Sequence, residues 1–184
     1  MQKNSGIVQV VTALSSLLKN MAKGFNEKVT LRQELDFLQN YVIIEKIRYI
    51  ELFDVTTQVD GEKLYDAKIV KLTLQPIVEN ALYHGIKNCR KKGFLKISGW
   101  QKGNDIFLRV EDNGIGMKPE ALLKMQKLVS RGGEDVDMRE GFGIANVAER
   151  IRLNFGADYG LSVESQYGVG TSVTVQIPAV QRSA

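Results

Sequence analysis

The sequence has a single cysteine, Cys89, among its 184 residues. A lone cysteine excludes an internal disulfide and fits a reducing compartment. No apolar run approaches the roughly 18 residues that a membrane helix needs. Residues 1–5 lead into an amphipathic segment, so no signal peptide is predicted. The sequence also lacks a DNA-reading helix with basic flanks, which predicts that the chain binds no nucleic acid.

The remaining composition is that of a soluble globular protein with a sizeable core. Hydrophobic residues make up 43% of the chain and charged residues 25%, and the length suits one domain plus an appendage. The net charge is +4, and acidic and basic residues are mixed except between Lys87 and Lys92. This basic stretch is either a solvated loop or a rim that attracts phosphates.

The first 50 residues are predicted to form helices outside the main domain. Apolar residues at spacings of three and four cover residues 7–21, a pattern typical of a helix that packs on a partner helix. A second helix is predicted to begin at Thr30, because Thr30 and Gln33 have the spacing of a capping box. We therefore divide the chain into residues 1–50, interpreted as the end of a dimerisation helix plus a linker helix, and a main domain at 51–184.

Beyond residue 50 the pattern predicts a mixture of strands and helices. Alternating apolar residues predict strands at 53–59, 94–100, 106–110, 161–165 and 172–177, and helical spacing predicts helices at 73–87, 119–130 and 144–155. A glycine-rich, charged stretch between them predicts a mobile loop at 131–142. Short turns make neighbouring strands antiparallel. The predicted fold is α+β, a two-layer sandwich of a mixed, largely antiparallel sheet with helices on one face, preceded by an N-terminal helical segment.

Polar side chains recur along the helix predicted at 73–87. Asn80 and His84 lie four residues apart, and Lys87 lies three further on, so the three side chains share one face of an α-helix. An amide, an imidazole and an ammonium group in a row can meet a metal ion and several phosphate oxygens. A buried helix with a polar edge is the alternative interpretation.

Two glycine-containing turns follow this helix. Asp112 ends a predicted strand and begins a D-x-G-x-G segment, in which Gly114 and Gly116 let the backbone approach a ligand closely. Its carboxylate can accept a hydrogen bond from an exocyclic amine. Gly141 and Gly143 open a helix, where backbone amides and the helix dipole favour an anion. Each segment alone is also consistent with a plain turn or hinge.

The order and spacing of these segments resemble the ATP-binding domain shared by gyrases, Hsp90, histidine kinases and mismatch-repair ATPases. Within that superfamily the chain most resembles sensor histidine kinases of the LytS/YehU type. The resemblance is carried by residues 74–85, 112–117, 141–151 and 167–171, with the upstream residues 30–35, 40–41 and 45–49. It covers about residues 10–178 and implies a domain that binds ATP and Mg²⁺ and transfers the γ-phosphoryl group to a histidine.

The resemblance implies roles for polar residues of the predicted helix at 73–87. Asn80 is expected to hold Mg²⁺, which bridges the phosphates. Glu79 is expected beside it as a polarising or metal-water contact, and both residues are therefore candidate catalytic residues. His84 and Lys87 are expected near the phosphate chain. Such an arrangement suits phosphoryl transfer, which depends mainly on positioning and charge neutralisation.

The resemblance also implies an adenine site and a set of backbone contacts. Asp112 is expected to accept a hydrogen bond from the adenine amino group, and Thr171 is expected to support the adenine site from the sheet. The other ATP-binding positions are expected at Gly114, Gly116, Gly141, Gly143 and Ile144. Residues 117–140 are expected to form the lid.

Three departures from the wider superfamily refine this expectation. Gyrase-like ATPases have a water-activating glutamate one helical turn before the asparagine, where this chain has Pro76, and proline cannot act as a base. The phenylalanine-rich lid motif of many other histidine kinases is not evident. His84 is the only histidine, and it lies in the helix of the nucleotide site. The phosphate-accepting histidine is therefore expected upstream of this chain, which we interpret as a fragment.

The resemblance finally implies partners and a location. A response regulator is the expected protein partner, and the full-length parent is expected to be a homodimer. The chain is expected to be a cytoplasmic domain of a parent anchored in the cell membrane. Two other functions share the fold: a non-catalytic nucleotide-binding regulatory module, and a protein serine kinase of the anti-sigma type.

Overall fold

The computed structural model describes residues 27–49, 52–89, 91–131 and 142–179, together with Thr12 and Ser15. The helices are α1 (Leu31–Arg48), α2 (Gln75–Asn80), α3 (Pro119–Arg131) and α4 (Phe142–Phe155). The strands are β1 (Lys28–Thr30), β2 (Phe53–Val59), β3 (Lys68–Val70), β4 (Gly93–Lys102), β5 (Asp105–Asp112), β6 (Gly160–Gln166) and β7 (Gly170–Pro178). A 3₁₀-helix at Glu62–Asp66 follows β2, and a π-helix at Ala81–Ile86 continues α2.

A five-stranded sheet in the order β2-β4-β5-β7-β6 forms one layer of the fold. β2 runs parallel to β4, and the other neighbouring pairs are antiparallel. This confirms the predicted mixed, largely antiparallel sheet. The register places Asp112 opposite Thr171 at the end of the β5–β7 pair. Two residues predicted for one site therefore lie side by side.

One face of the sheet is apolar and is covered by helices, which confirms the predicted two-layer sandwich. Buried residues alternate with partly exposed ones along β4 and β5, as the period of two along a half-buried strand requires. The buried side chains of the sheet include Leu95, Ile97, Ile106, Leu108, Val110, Val163, Val173, Val175 and Ile177. Ile77 and Val78 of α2 and Ile144, Val147, Ala148 and Ile151 of α4 belong to the same core.

The predicted helix at Thr30 is confirmed as α1, and it begins with a complete capping box. The Gln33 N–H donates to the Thr30 hydroxyl at 3.2 Å, and the Thr30 N–H donates to the Gln33 side chain at 3.0 Å. Such a cap is worth about 1 kcal/mol. α1 buries Leu38, Tyr41 and Val42 in the same core as the sheet. None of the described helices combines the length and apolarity needed to cross a bilayer.

Several short elements were not predicted from the sequence. β1 and β3 pair as an antiparallel ribbon of three residues each, too short to show an alternating pattern. The predicted helix at 73–87 starts at Gln75 and changes to π geometry after Asn80. The Lys87 N–H donates to the Leu82 carbonyl at 2.9 Å, a bond that spans five residues. The predicted helix at 7–21 lies outside the described residues, apart from Thr12 and Ser15.

Candidate functional site

A cleft opens where four parts of the fold meet: the π-helix, the last residues of β5, the first residues of β7 and the start of α4. Counting its open mouth, it contains about 440 Å³ of empty space. It is lined by Ile77, Asn80, Ala81, His84, Gly85, Val110, Asp112, Gly116, Met117, Ile144, Thr171 and Val173. Six of these residues were predicted from the sequence as site residues: Asn80, His84, Asp112, Gly116, Ile144 and Thr171. Segments far apart in the chain therefore share one cavity.

Asp112 places a carboxylate on the wall of this cleft. Its Oδ1 accepts the Gly114 N–H at 2.7 Å, and the backbone N–H of Thr171 also donates to the carboxylate. Burial raises the pKa of Asp112 to about 6, although both hydrogen bonds act in the opposite direction. Near neutral pH the group is therefore mainly ionised, and it can accept a hydrogen bond from a ligand in the cleft.

Two glycines bring the turn after β5 against the π-helix. A Cβ atom on Gly114 would lie 2.3 Å from the carbonyl carbon of Gly85, and one on Gly85 would lie 2.7 Å from Oδ1 of Asp112. The Ile115 N–H donates to the Gly85 carbonyl at 3.2 Å. Gly85 thus packs directly against the carboxylate. Sequence reasoning assigned it no role, although it directly follows His84 in the polar helix.

Gly116 is held in place by the β6–β7 hairpin. It has φ of 63°, and a Cβ atom there would lie 2.0 Å from the carbonyl oxygen of Gln166. Both observations require glycine, because other residues rarely adopt this backbone conformation and no space remains for a side chain. Glycine lets the backbone at the cleft wall approach the hairpin closely.

Ser165 connects this turn to the hairpin, and it was missed in the sequence. Its hydroxyl accepts the Met117 N–H at 2.9 Å and donates to the Gly170 carbonyl at 2.9 Å. Its oxygen also lies 2.9 Å from the hydroxyl oxygen of Thr171. Nothing in the sequence distinguishes this serine from other strand serines, because its partners come from distant positions. It orients Thr171 on the cleft wall.

Asn80 lies at the end of α2, beside the start of α4. Its amide nitrogen donates to the Pro76 carbonyl at 3.0 Å, so the amide oxygen remains as an acceptor or metal ligand. A Cβ atom on Gly143 would lie 3.5 Å from Cβ of Pro76 and 4.0 Å from the amide nitrogen of Asn80. The first turn of α4 therefore reaches Asn80, and backbone amides in the first turn of a helix are groups that can bind an anion.

The other predicted residues occupy varied positions. His84 is exposed at the cleft, whereas Glu79 accepts a hydrogen bond from Gln75 at 2.9 Å and does not line the cleft. The ammonium group of Lys87 lies 5.6 Å from the ring centroids of both Tyr49 and Tyr83, and Lys87 does not line the cleft either. Gly141 lies outside the described residues, as do residues 132–140 of the predicted lid.

The residues of the cleft could hold a metal ion only if a bound small molecule supplied most of the atoms that coordinate the metal. Within the described part of the chain, no group of three or more His, Cys, Asp or Glu side chains could hold a metal. Mg²⁺ usually takes one or two protein ligands and completes its octahedral shell with water and phosphate oxygens. The amide oxygen of Asn80 has the chemistry of such a ligand, so the residues present fit Mg²⁺ bound together with a nucleotide.

Comparisons with known proteins show which family the chain resembles. Residues 1–53 match the model of the Histidine kinase family. The chain is 33% identical to the sensor histidine kinase YesM of Bacillus subtilis over 172 residues, covering 94% of this chain and 28% of YesM. It is 32% identical over 170 residues to the sensor histidine kinase BtsS of Escherichia coli, covering 92% of this chain and 27% of BtsS. The chain thus spans little more than a quarter of the length of these relatives.

Solved structures share the fold. The catalytic domain of histidine kinase ThkA superposes with a TM-score of 0.60 and 17% identity, covering 85% of this chain and 98% of that domain. The histidine kinase domain of a blue-light activated kinase from Erythrobacter litoralis gives a TM-score of 0.54 and 20% identity, covering 95% of this chain and 75% of that domain.

Residues 66–181 match the model of a further family, described as histidine kinase-, DNA gyrase B- and HSP90-like ATPase. The matched range is more than half of the chain, and it contains every residue that lines the cleft. The chain therefore belongs to the histidine kinase-, DNA gyrase B- and HSP90-like ATPase family.

Proposed function

We propose that this chain binds ATP as its magnesium complex in the cleft and is the catalytic domain of a sensor histidine kinase. The observation that carries the proposal is that Asn80, Asp112 and the first turn of α4 border one cavity. A metal ligand, a carboxylate acceptor and an anion site are the chemistry that a magnesium nucleotide requires.

In this proposal the adenine base lies against Asp112. The ionised carboxylate accepts a hydrogen bond from the exocyclic amino group, while its bonds from the Gly114 and Thr171 amides fix its orientation. Ile77, Val110 and Val173 are apolar lining residues that suit the faces of a flat base. Gly114 and Gly116 contribute by letting the turn pack closely against its neighbours.

The phosphates lie toward Asn80 and the start of α4. The amide oxygen of Asn80 is the proposed ligand of Mg²⁺, and Mg²⁺ neutralises the negative charge of the phosphates when the nucleotide is bound. The backbone amides at Gly143 and Gly141 are the proposed phosphate contacts, and His84 at the cleft is a further one. Glu79 is bonded to Gln75, and Lys87 lies near the rings of two tyrosines. Both side chains would have to change conformation to contact the nucleotide or the metal ion.

Transfer to a protein acceptor is favoured over hydrolysis by the side chain at position 76. Pro76 has no ionisable group, so the position one helical turn before Asn80, where gyrase-like ATPases have their glutamate, offers no base to activate water. His84, the only histidine of the chain, lines the nucleotide cleft itself. We therefore propose that the acceptor is another histidine, in a region of the longer parent protein that precedes residues 7–21.

The parent protein is proposed to act in a two-component pathway. The match of residues 1–53 to the Histidine kinase family and the names of the curated relatives support this role. A response regulator is then the proposed receiver of the phosphoryl group, and the parent is proposed to be a membrane-anchored homodimer with this domain in the cytoplasm.

A nucleotide titration followed by a transfer assay tests the proposal. The chain should bind a non-hydrolysable ATP analogue more tightly with Mg²⁺ than with excess chelator. It should then transfer the γ-phosphate of labelled ATP to a histidine of a longer parent chain. Absence of nucleotide binding would refute the proposal. Binding without transfer would favour a regulatory module, and a labelled serine in a partner protein would favour a serine kinase.

A further inference from the structure

Glu34 of α1 carries a buried carboxyl group that makes none of the proposed nucleotide contacts. It is 1% exposed. Its Oε2 accepts the Leu72 N–H at 2.9 Å, and its Oε1 accepts the Leu74 N–H at 2.9 Å. Leu74 immediately precedes α2, a helix whose N-terminus receives no side-chain cap from its own N-cap residue. A different helix therefore supplies the acceptor oxygens that satisfy backbone N–H groups at this N-terminus.

The turn at residues 71–74 is also held from the opposite side. Arg150 of α4 donates to the carbonyl of Lys71 and, at 3.5 Å, to the carbonyl of Leu72. Leu72 has φ of 57°, which places a branched non-glycine residue in the left-handed region. Its N–H is bonded by Glu34 and its carbonyl by Arg150. An unusual backbone conformation is thus held by hydrogen bonds from Glu34 and Arg150, which lie on separate helices.

Hydrogen bonds within α2 connect this turn to Asn80. The Val78 N–H donates to the Leu74 carbonyl at 3.0 Å, so the first turn of α2 is bonded to the residue that Glu34 holds. Asn80 is the last residue of the same short helix, and its amide nitrogen bonds Pro76 in that first turn. A shift of Leu74 would therefore move the amide oxygen of Asn80. Asp112 lies on β5 and is not bonded to this helix start.

We propose that Glu34 is a positioning residue for the magnesium-dependent part of nucleotide binding and that it connects α1 to the site through the 71–74 turn. This inference rests on the proposed function, because it takes Asn80 as the Mg²⁺ ligand. It assigns Glu34 no contact with the nucleotide. A movement of α1 relative to the sheet would therefore displace Asn80, the proposed metal ligand, more directly than Asp112 in the adenine pocket.

Glu34→Gln tests the inference with little change of side-chain size. The amide group keeps one acceptor oxygen, but its NH₂ group cannot accept from a backbone N–H, so at least one of the bonds from Leu72, Thr73 and Leu74 is lost. Glu45→Gln is the matched control. Glu45 lies on the same helix and is 4% exposed, but it is hydrogen-bonded to neither Leu72 nor Leu74. Both variants replace one buried carboxyl group of α1 with an amide of nearly the same size.

The measurement is the affinity of the full 184-residue chain for a non-hydrolysable ATP analogue, with Mg²⁺ and with excess chelator. Glu34→Gln should reduce the enhancement by Mg²⁺ about 10-fold, in line with the loss of partners that orient metal ligands. The affinity in chelator should not change. Glu45→Gln should show the wild-type enhancement. Combining Glu34→Gln with Asn80→Ala should cause no further loss beyond Asn80→Ala, because Glu34 acts through Asn80.

Other results overturn the inference in distinguishable ways. If Glu34→Gln is folded and Mg²⁺ enhances its nucleotide affinity as much as in wild type, Glu34 does not position the metal ligand Asn80. An equal loss with and without Mg²⁺ shows a structural role only. If thermal unfolding shows that Glu34→Gln is not folded, Glu34→Asp replaces it. Glu34→Asp keeps the charge and shortens the reach, and the same two results would overturn the inference. A wild-type chain that binds no nucleotide refutes the proposed function itself.

Discussion

Gly85 faces the carboxylate of Asp112 so closely that a Cβ atom at position 85 would lie 2.7 Å from Oδ1. Gly114 meets the same glycine, with its own hypothetical Cβ atom 2.3 Å from the Gly85 carbonyl carbon. The π-helix and the turn after β5 therefore touch through two glycines. This contact sets the distance between the helix that carries Asn80 and the carboxylate across the cleft.

Gly85→Ala should displace Asp112 and weaken nucleotide binding. The new methyl group has no space beside Oδ1, and overpacking of this kind costs about 1–3 kcal/mol of stability. Chemical denaturation and a nucleotide titration should show both effects. Gly160→Ala is the control, because a Cβ atom at Gly160 meets nothing within 4 Å. Equal affinities for Gly85→Ala and the control would contradict the assigned contact.

Asp112→Ala should abolish nucleotide binding and leave the fold intact, because the carboxylate oxygens that remain accessible in the cleft serve the ligand. Circular dichroism checks the fold, and titration with an ATP analogue checks the affinity. Wild-type affinity in this variant would refute the adenine assignment. In the wild-type chain, binding should weaken as pH falls through about 6, since protonation of Asp112 removes its charge and turns one of its acceptor oxygens into a donor.

The raised pKa of Asp112 also predicts how stability depends on pH without nucleotide. The folded-state pKa of about 6 lies above the ordinary aspartate value of 3.8, so the folded state binds this proton more tightly than the unfolded state. The ionised carboxylate therefore destabilises the fold at pH 7, and the cost is relieved as pH falls through 6 toward 3.8. Asp112→Asn cannot ionise, so its stability relative to wild type should rise between pH 5 and pH 7, on top of any constant loss of a backbone hydrogen bond. A difference that does not change with pH would contradict the prediction.

Ser165→Ala should loosen the turn that carries Gly116 and Met117. The substitution removes the acceptor of the Met117 N–H and the partner of the Thr171 hydroxyl. Losing a partly buried hydrogen-bond partner costs about 1–3 kcal/mol. Denaturant unfolding measures this loss, and Ser130→Ala is the control, because Ser130 is an exposed helix residue that donates to Lys127. Equal stability of the two variants would contradict the role of Ser165.

Asn80→Ala should weaken nucleotide binding mainly when Mg²⁺ is present. The substitution removes the proposed metal ligand but leaves Asp112 and the apolar walls of the cleft in place. Titrations with Mg²⁺ and with excess chelator separate the two contributions. An unchanged Mg²⁺ requirement in Asn80→Ala would count against the assignment of the metal ligand.

The parts of the fold predicted from the sequence are those set by local patterns. Thr30 and Gln33 predict the start of α1 because the capping box lies within one helical turn, and the alternation on β4, β5 and β7 predicts the sheet. The change to π geometry after Asn80 has no such local signal. The π-helix lies where the chain packs against the turn at Gly114, a contact between distant segments.

The candidate site, too, could be predicted only in part from the sequence. Asp112, Asn80 and Thr171 were predicted because a family resemblance supplied their roles. Lys87 was placed with Asn80 by α-helical periodicity, but the π-helix holds more residues in each turn, and the ammonium group faces the rings of Tyr49 and Tyr83. Gly85 was given no role because its partners are set by tertiary packing.

The most direct test of this account is a crystal structure of the chain with Mg²⁺ and a non-hydrolysable ATP analogue. The account predicts the adenine amino group within hydrogen-bonding distance of Asp112, and Mg²⁺ bound by the amide oxygen of Asn80 and by phosphate oxygens that approach Gly143. A nucleotide bound away from this cleft, or bound there without contact to either Asn80 or Asp112, would contradict it.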